Sequence, residues 1–353
     1  MGTSRRRSAS AEAANADSDS DGGLEHFSGA LSLLFAHHSA SSGAAGALTS
    51  FEHARLATPL RFRVPEHAAG DTGLYAHYQW DAGRVLAALL LDATGANEGG
   101  EASSSAAAPS SLLARLSLEH HDAVVELGAG TGLPSLVSAR IIRDGLLAES
   151  RSKTRRAVVV TDYPSPHLLR ALEENMQRER EAPVANMPLP KDGARKGSGG
   201  DAGGQALDTH VRGLEWGVEE QERIVYSLSP DARGFSLVLV ADCLWQTAAQ
   251  TALLHTMSVL LRRSSEARIA VVAGFHTGAW ALVRFLQRAA ELHLVAHDEE
   301  RWSMDVLRAD SADAWRPWHG DVDSLPATQE EQSRSCIVVL LGWSDAALSS
   351  TPI

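Results

Sequence analysis

Residues 123–134 read AVVELGAGTGLP, from Ala123 to Pro134, and this stretch decides the fold. Ala123 to Leu127 is a short apolar run, interrupted only by Glu126, and short runs of this kind between turn signals form buried strands. Gly128, Gly130 and Gly132 then alternate through a turn. Glycine takes up positive φ without steric penalty and lets a ligand touch the backbone. From Leu133 to Leu147 the apolar spacing is helical, with Pro134 where a helix start accepts it. The free N–H groups of a helix start favour a polar or anionic ligand. One glycine here would mean only a tight strand–helix turn; three in alternation point to a ligand-binding loop.

Outward from this stretch the chain keeps alternating. Six more strands are read at 157–161 (AVVVT), 209–214, 235–241 (FSLVLVA), 268–273 (RIAVVA), 292–297 and 336–341 (CIVVLL). Helical patterns cover 81–91, 167–178, 247–262 and 279–292. Strands that are continuous Val/Ile/Leu runs are covered on both faces, as in a mostly parallel sheet between helices. The order predicts an α/β fold: one doubly wound, seven-strand, Rossmann-like domain with helices on both faces. Its expected extent is 51–343, after an N-terminal extension over 1–50 and before a tail over 344–353. Residues 1–25 have almost nothing to bury and read as disordered. The next segment is ambiguous, with one short apolar turn from Leu31 to Phe35. Low-complexity insertions are read near 95–111, 181–206 and 308–334, the last carrying Trp315 and Trp318, so that part of it packs.

Composition narrows the function. The 353 residues carry a net charge of −12, which repels phosphate backbones, so no nucleic-acid partner is expected. The two cysteines, Cys243 and Cys336, exclude a disulfide scaffold and a four-cysteine zinc site, and cysteine this sparse suits a reducing compartment. No apolar run approaches the ~20 residues of a membrane span, and residues 1–22 lack the pattern of a signal or transit peptide. Arg6 stands where myristoylation wants serine or threonine. The expectation is a soluble, cytoplasmic protein with no membrane partner. Neither H-E-x-x-H nor C-x-x-C occurs, and the adjacent pairs His37-His38 and His120-His121 are ill placed to share an ion, so no metal is expected. Absence of G-x-S-x-G and of G-x-x-x-x-G-K-[ST] removes the common hydrolase and P-loop readings.

Ligands of doubly wound folds bind outside the carboxyl ends of the strands. Asp162 ends the second strand, as a ribose ligand or as a turn residue before Pro164. Asp242 ends the fourth, either between cofactor and acceptor or as the N-cap of the next helix. Trp216 is either a stacking face for a base or ordinary core; Trp80 and Trp245 divide in the same way between pocket wall and core. His276, after the fifth strand, reads first as a turn histidine, and Cys243 as a small buried residue. The glycines form G-x-G-x-G, and Leu133 stands where a dinucleotide fingerprint wants its third glycine. The first strand-end acid, Asp162, comes 30 residues after Gly132 rather than about 20.

Glu126 with the three glycines, E-x-G-x-G-x-G, resembles motif I of the S-adenosylmethionine-dependent methyltransferases. Adding Thr161-Asp162-Tyr163-Pro164, Leu214-Glu215-Trp216-Gly217, Ala241-Asp242-Cys243-Leu244-Trp245 and the upstream Tyr78 to Leu86, the chain is similar to methyltransferase family 16 over roughly 72–343 outside the insertions. Within that family it looks most like the fungal nicotinamide N-methyltransferase-like proteins, whose relatives methylate the N-terminus and a lysine of elongation factor 1-alpha. The resemblance implies S-adenosyl-L-methionine as cofactor. It implies Glu126, Gly128 and Gly130 along the methionine and ribose, Asp162 on the ribose diol, Trp216 at adenine, and Trp80 and Tyr78 closing the pocket. It implies Asp242 facing the methionine end and the acceptor; Trp245, read with it as the catalytic pair, is an aromatic face that can favour the cationic product or else is core packing. The acceptor expected is a protein amine, elongation factor 1-alpha among the candidates, and the protein a monomer. A nicotinamide-like small amine and a catalytically silent binding module stay as alternatives. Two features depart from the family: Asp242-Cys243-Leu244-Trp245 replaces the D-x-x-Y or D-x-x-F tetrad of many protein-lysine members, and the following QTAAQT is uncharged.

Overall fold

A computed structural model describes residues 44–66, 76–95, 108–147, 155–184, 207–309 and 311–350. The disorder read over 1–25, the apolar turn at 31–35 and insertion residues 96–107 and 185–206 lie outside the described residues.

Two short strands, β1 (Leu48–Phe51) and β2 (Leu60–Arg63), pair as an antiparallel hairpin ahead of the main sheet. Helices α1 (Asp81–Asp92) and α2 (Ser110–Leu116) follow. Then come β3 (Ala123–Leu127), α3 (Leu133–Arg143), β4 (Arg156–Asp162), α4 (Pro166–Glu181), β5 (Leu207–Gly213) and α5 (Glu219–Tyr226). The chain continues through β6 (Leu237–Ala241), α6 (Gln250–Leu260), β7 (Arg268–Gly274) and α7 (Ala279–Glu291). It ends in β8 (Leu294–Val295), β9 (Arg301–Asp305), β10 (Trp315–Pro317) and β11 (Ser335–Trp343).

The main sheet runs β10-β9-β11-β7-β6-β3-β4-β5, with β8 also paired to β11. Strands β3 to β7 are parallel, and β11 returns antiparallel beside β7. The protein is therefore α/β, a mostly parallel sheet flanked by helices. Every residue of β3 and β4 is buried. Alternate side chains feed two cores: Val124, Val158 and Leu237 on the face covered by α1, α3 and α4, and Val125, Val159 and Val238 on the face covered by α6 and α7. Residues of period two that are apolar on both faces admit only such a two-sided arrangement.

All seven strands read from the sequence form. Strands β9 and β10 extend the sheet beyond them, and their polar sequences (RWSMD, WRP) carry no apolar run to announce an edge ladder. The hairpin and α5 were also unread. Strand β1 begins inside the expected 1–50 extension, and α5 (EEQERIVY) is charged over most of its surface. Trp318 is fully buried, as the packing read for 308–334 requires.

From β3 the chain steps outward to β4 and β5, then returns to place β6 on the other side of β3. The crevice at the carboxyl ends of β3 and β6 is the switch point of the topology, where ligands of such sheets bind. Asn175 of α4 ties the hairpin to the glycine loop: its Nδ2 donates to Arg63 O at 2.9 Å and Thr131 O at 3.0 Å, and its Oδ1 accepts from Arg63 N at 2.7 Å.

A buried ion pair clamps α3 to α4. Arg140 Nε and Nη2 donate to the two oxygens of Glu179 at 2.6 and 2.7 Å, with both side chains at most 5% exposed. Arg140→Ala leaves the buried Glu179 with Arg143 Nη1, 3.1 Å away, as its remaining cation, so it should lose about 1–3 kcal/mol in urea unfolding, while Arg140→Met with Glu179→Leu should lose less. A single-variant loss under about 1 kcal/mol would show that the pair does not hold the helices together.

Candidate active site

Five residues separate β3 from α3, and the turn is made by three glycines at φ 62°, 56° and 76° (Gly128, Gly130 and Gly132). Each position has its own reason to lack a side chain. A Cβ at Gly128 would lie 2.7 Å from Cys243 Sγ and 3.1 Å from the Trp216 ring. One at Gly132 would press on Leu172 at 3.1 Å. A Cβ at Gly130 would meet nothing within 4 Å, because this residue faces an open cavity.

That cavity has a volume of about 340 Å³ and lies at the switch point. Gly128 and Gly130 line it from the end of β3, Asp162 from β4, Trp216 from the turn after β5, Asp242 and Trp245 from the end of β6, and Trp80 from the segment before α1. Seven of the eight site residues read from the sequence thus share one wall. Among the described residues its charged lining is Asp162, Glu215 and Asp242, all acidic, with no lysine or arginine. Tyr78 is not among the lining residues; it packs against Trp80, the ring centres 5.4 Å apart and the planes tilted by 56°.

Glu126 is placed elsewhere. It is buried beneath the turn, and its Oε2 accepts the N–H of Ser135 in the first turn of α3 at 2.9 Å. Burial pushes its carboxyl up to about 8, the Asp162 charge adding to the rise and hydrogen bonding from Ser135 opposing it. It braces the loop from below rather than lining the cavity.

Asp162 accepts the Gly130 N–H on Oδ2 and the Tyr163 N–H on Oδ1, each at 2.7 Å. Burial raises its pKa to about 6, against the pull of these two donors. Two of a carboxylate's roughly four acceptor positions are used in this way, which leaves capacity for hydroxyl donors. It does not cap the next helix, whose N-cap is Ser165. Thr131 Oγ1 hydrogen-bonds to Gln79 Oε1 and so joins the turn to the Trp80 segment. After β5, the Gly217 N–H donates to Thr256 Oγ1 at 2.9 Å and to Glu222 Oε1 at 3.2 Å, fixing the turn that presents Trp216.

Asp242 is likewise no helix cap, since α6 begins eight residues on with Ala249 as its N-cap. Its backbone sits at φ 58°, and its N–H donates to Val272 O at 2.8 Å. Oδ1 accepts the Gly274 N–H at 3.1 Å, and both carboxylate oxygens lie 2.9 Å from His276 Nε2. Sequence reasoning placed His276 at this edge and took it for a turn residue. The signal that would have found it is its position, a second polar residue after a strand neighbouring the one that ends in Asp242. Burial alone would lower the His276 pKa; the Asp242 charge and hydrogen bond, with Asp81 beyond, reverse this and leave it raised. Cys243 is buried with its thiol toward Leu127 O at 3.3 Å, and burial drives its pKa upward. Among the described residues no cluster of three or more His, Cys, Asp or Glu is placed to hold a metal ion.

The chain is similar to fungal protein methyltransferases. It is 27% identical over 215 residues to a protein N-terminal and lysine N-methyltransferase of Aspergillus fumigatus, an alignment covering 61% of this chain and 62% of that protein. A protein of the same name from Eremothecium gossypii is 28% identical over 262 residues, 73% of this chain and 77% of its own length. Another from Schizosaccharomyces pombe is 35% identical over 112 residues, 32% and 31% of the two chains. The chain spans about three-fifths of the length of the Aspergillus relatives it matches, counting that of Emericella nidulans. No family model matches it.

The protonation of Glu126 is testable. A carboxyl whose pKa rises on folding stabilises the fold below its unfolded pKa, near 4.5, and loses that contribution as pH rises through about 8. The thermal midpoint of the wild type should therefore fall between pH 5 and pH 8 relative to Glu126→Gln. The fall should be at least about 2–4 °C, the shift that roughly 1 kcal/mol produces in a domain of some two hundred residues. Parallel midpoints across that range would mean that Glu126 is ionised in the fold.

Proposed function

We propose that the protein is an S-adenosylmethionine-dependent N-methyltransferase whose acceptor is a protein amine, a lysine side chain or an N-terminus. One observation carries the reading: a single cavity at the switch point joins an open glycine loop, a strand-end aspartate and a tryptophan to a second aspartate and tryptophan, and the charged side chains that line it among the described residues are all acidic. The named activity of the relatives points the same way. A volume of about 340 Å³ is within the roughly 300–1,000 Å³ of small-molecule sites. An acidic lining suits a nucleoside that carries a sulfonium and an ammonium group. It opposes a dinucleotide, whose pyrophosphate needs donors and positive charge.

In this reading Asp162 holds the ribose diol, Trp216 forms the wall against adenine, and the Gly128 and Gly130 backbone admits the ligand at close range. S-adenosylmethionine supplies a methyl group on a positively charged sulfur: the acceptor's nitrogen lone pair forms the N–C bond as the C–S bond breaks and its electron pair returns to sulfur. The chain's task is then positioning, which can be worth about 7–11 kcal/mol. Asp242 accepts a hydrogen bond from the acceptor nitrogen and orients its lone pair. The apolar wall removes water from the amine and lowers its pKa, which favours the uncharged, reactive form. The Trp245 face offers the methylated cation a partner. A net charge of −12 favours encounter with a basic protein, and elongation factor 1-alpha is the acceptor implied by the sequence resemblance.

The test follows tritiated methyl from S-adenosylmethionine into a fungal extract supplemented with nicotinamide. Label in one protein band is expected, with Asp242→Ala and Asp242→Asn reducing it by about 10²-fold or more. Label confined to nicotinamide would make the acceptor a small molecule. Calorimetry with S-adenosylmethionine completes the test. Gly130→Arg, which fills the open face of the loop, should abolish binding, and wild-type affinity in that variant would refute the cofactor site.

A further inference from the structure

Behind Asp242 stands a histidine that the proposed chemistry leaves unused. The His276 ring, 8% exposed, stands with Nε2 equidistant from the two Asp242 oxygens. Its edge meets the Trp80 ring, the centres 5.2 Å apart. The ring lies across Gly274, where a Cβ would come within 2.8 Å of Nε2, so glycine at the end of β7 makes room for it. Asp242 after β6 and Asp81 at the start of α1 act on it electrostatically, Trp80 meets its ring, and Cys336 of β11 pairs opposite Gly274 with a thiol that burial keeps neutral. Asp242 and Asp81 are acids that act on it, Asp242 through its charge and its hydrogen bond and Asp81 through its charge.

The geometry points to His276 as a positioning residue that acts through Asp242, fixing its carboxylate and offsetting its charge so that the acceptor amine is bound without being held as ammonium. This rests on the methyltransferase reading. An isolated carboxylate beside an amine stabilises the charged form and raises the amine pKa, which opposes attack through the lone pair. A charge-paired carboxylate still accepts an N–H but does so with much less field at the amine. The charge pair and the apolar wall then act in the same direction. The compensation lasts as long as His276 is protonated, and its raised pKa carries this above the ordinary histidine range. Trp80 couples the pair to the cavity wall: the ring that touches His276 is the ring that lines the site.

The experiment uses two substitutions in the full chain. His276→Gln keeps an N–H near the Nε2 position without the charge, and His276→Phe removes both but keeps an aromatic ring against Trp80. Methyl incorporation is measured from pH 6 to 9.5 with an extract of fungal cells grown in adenosine dialdehyde, which leaves acceptor sites unmodified. Binding of S-adenosylmethionine is measured by calorimetry. Both variants should bind the cofactor within about threefold of wild type. Their rates should begin to rise at a pH about one unit higher, the shift expected from losing one nearby charge. The deficit should be about tenfold at pH 7 and should narrow as pH rises past the His276 pKa, where the wild type loses its own compensation. If His276→Gln follows the wild-type pH profile, whatever its rate, the histidine serves geometry alone and the inference is overturned. If wild type neither binds the cofactor nor transfers label, the methyltransferase reading fails and this inference fails with it. If wild type does both, the two variants judge His276 alone, and His276→Gln decides the matter should His276→Phe not fold.

Discussion

The chain must pass from the end of β3 to the start of α3 in five residues, and the rest of the site depends on how it does so. Three left-handed residues in alternation draw the turn back over β3. Any L-residue in that conformation costs roughly 1–2 kcal/mol, so glycine is the inexpensive solution at all three positions. Gly128 and Gly130 line the cavity, but only Gly130 has open space where a side chain would stand. Gly128 is filled against by Trp216 and Cys243, and Gly132 by Leu172 and Val160, so the tightness that brings the turn close to its neighbours also fixes their side chains. Asp162 then locks the turn sideways through the Gly130 N–H, and Asn175 and Gln79 lock it to the hairpin and the Trp80 segment. A mobile glycine loop would bind nothing well; here its freedom is removed by groups from three other parts of the chain.

Three buried acids lie in or beneath this region, and the fold treats each differently. Glu126 is desolvated with one backbone donor, and with a pKa of about 8 it keeps its proton at neutral pH. Asp162 is buried too, at the cavity wall, and two backbone donors hold its pKa to about 6, so it is ionised at neutral pH. Asp242 is paired with an imidazole. Three ionised carboxylates crowded together would repel one another and be costly to bury. The arrangement leaves one protonated, one ionised and one hydrogen-bonded to a histidine whose pKa that pairing raises, so the cavity keeps acidic acceptors where a cationic ligand is expected.

Legibility in the sequence followed burial. The strands that form the centre of the sheet are apolar on both faces, and AVVEL, AVVVT, FSLVLVA and CIVVLL announce them within a residue or two. Edge ladder β9–β10 and helix α5 have one exposed side, and charges there dilute the pattern that a one-dimensional reading detects. Site residues were legible where a strand-end rule applied. That rule brought Gly128, Gly130, Asp162, Trp216, Asp242 and Trp245 to one edge, and the structure places them around one cavity. Glu126 shows the limit of the rule. Strand alternation turns it away from the cavity to the base of α3, a matter of face that the motif alone does not express. His276 shows the opposite limit, since pairing across two strands appears only once β6 and β7 are known to be neighbours.

Asp242 carries the clearest mark of selection against local ease. Its φ of 58° belongs to the left-handed region, where a side chain is disfavoured, and the fold holds it there from three directions. Its N–H is taken by Val272, one oxygen by the Gly274 N–H, and both oxygens by His276. Every one of those partners belongs to β7 or the loop after it. Strained backbone persists where surrounding contacts over-determine it, and such positions cluster at functional sites. A glycine at 242 would relieve the strain but leave His276 without its carboxylate. An aspartate in a relaxed conformation would turn that carboxylate away from β7. The conformation that is locally unfavourable is the one that lets a single side chain serve both the cavity and the buried histidine, so the strain at Asp242 and the space left at Gly274 are two sides of one requirement.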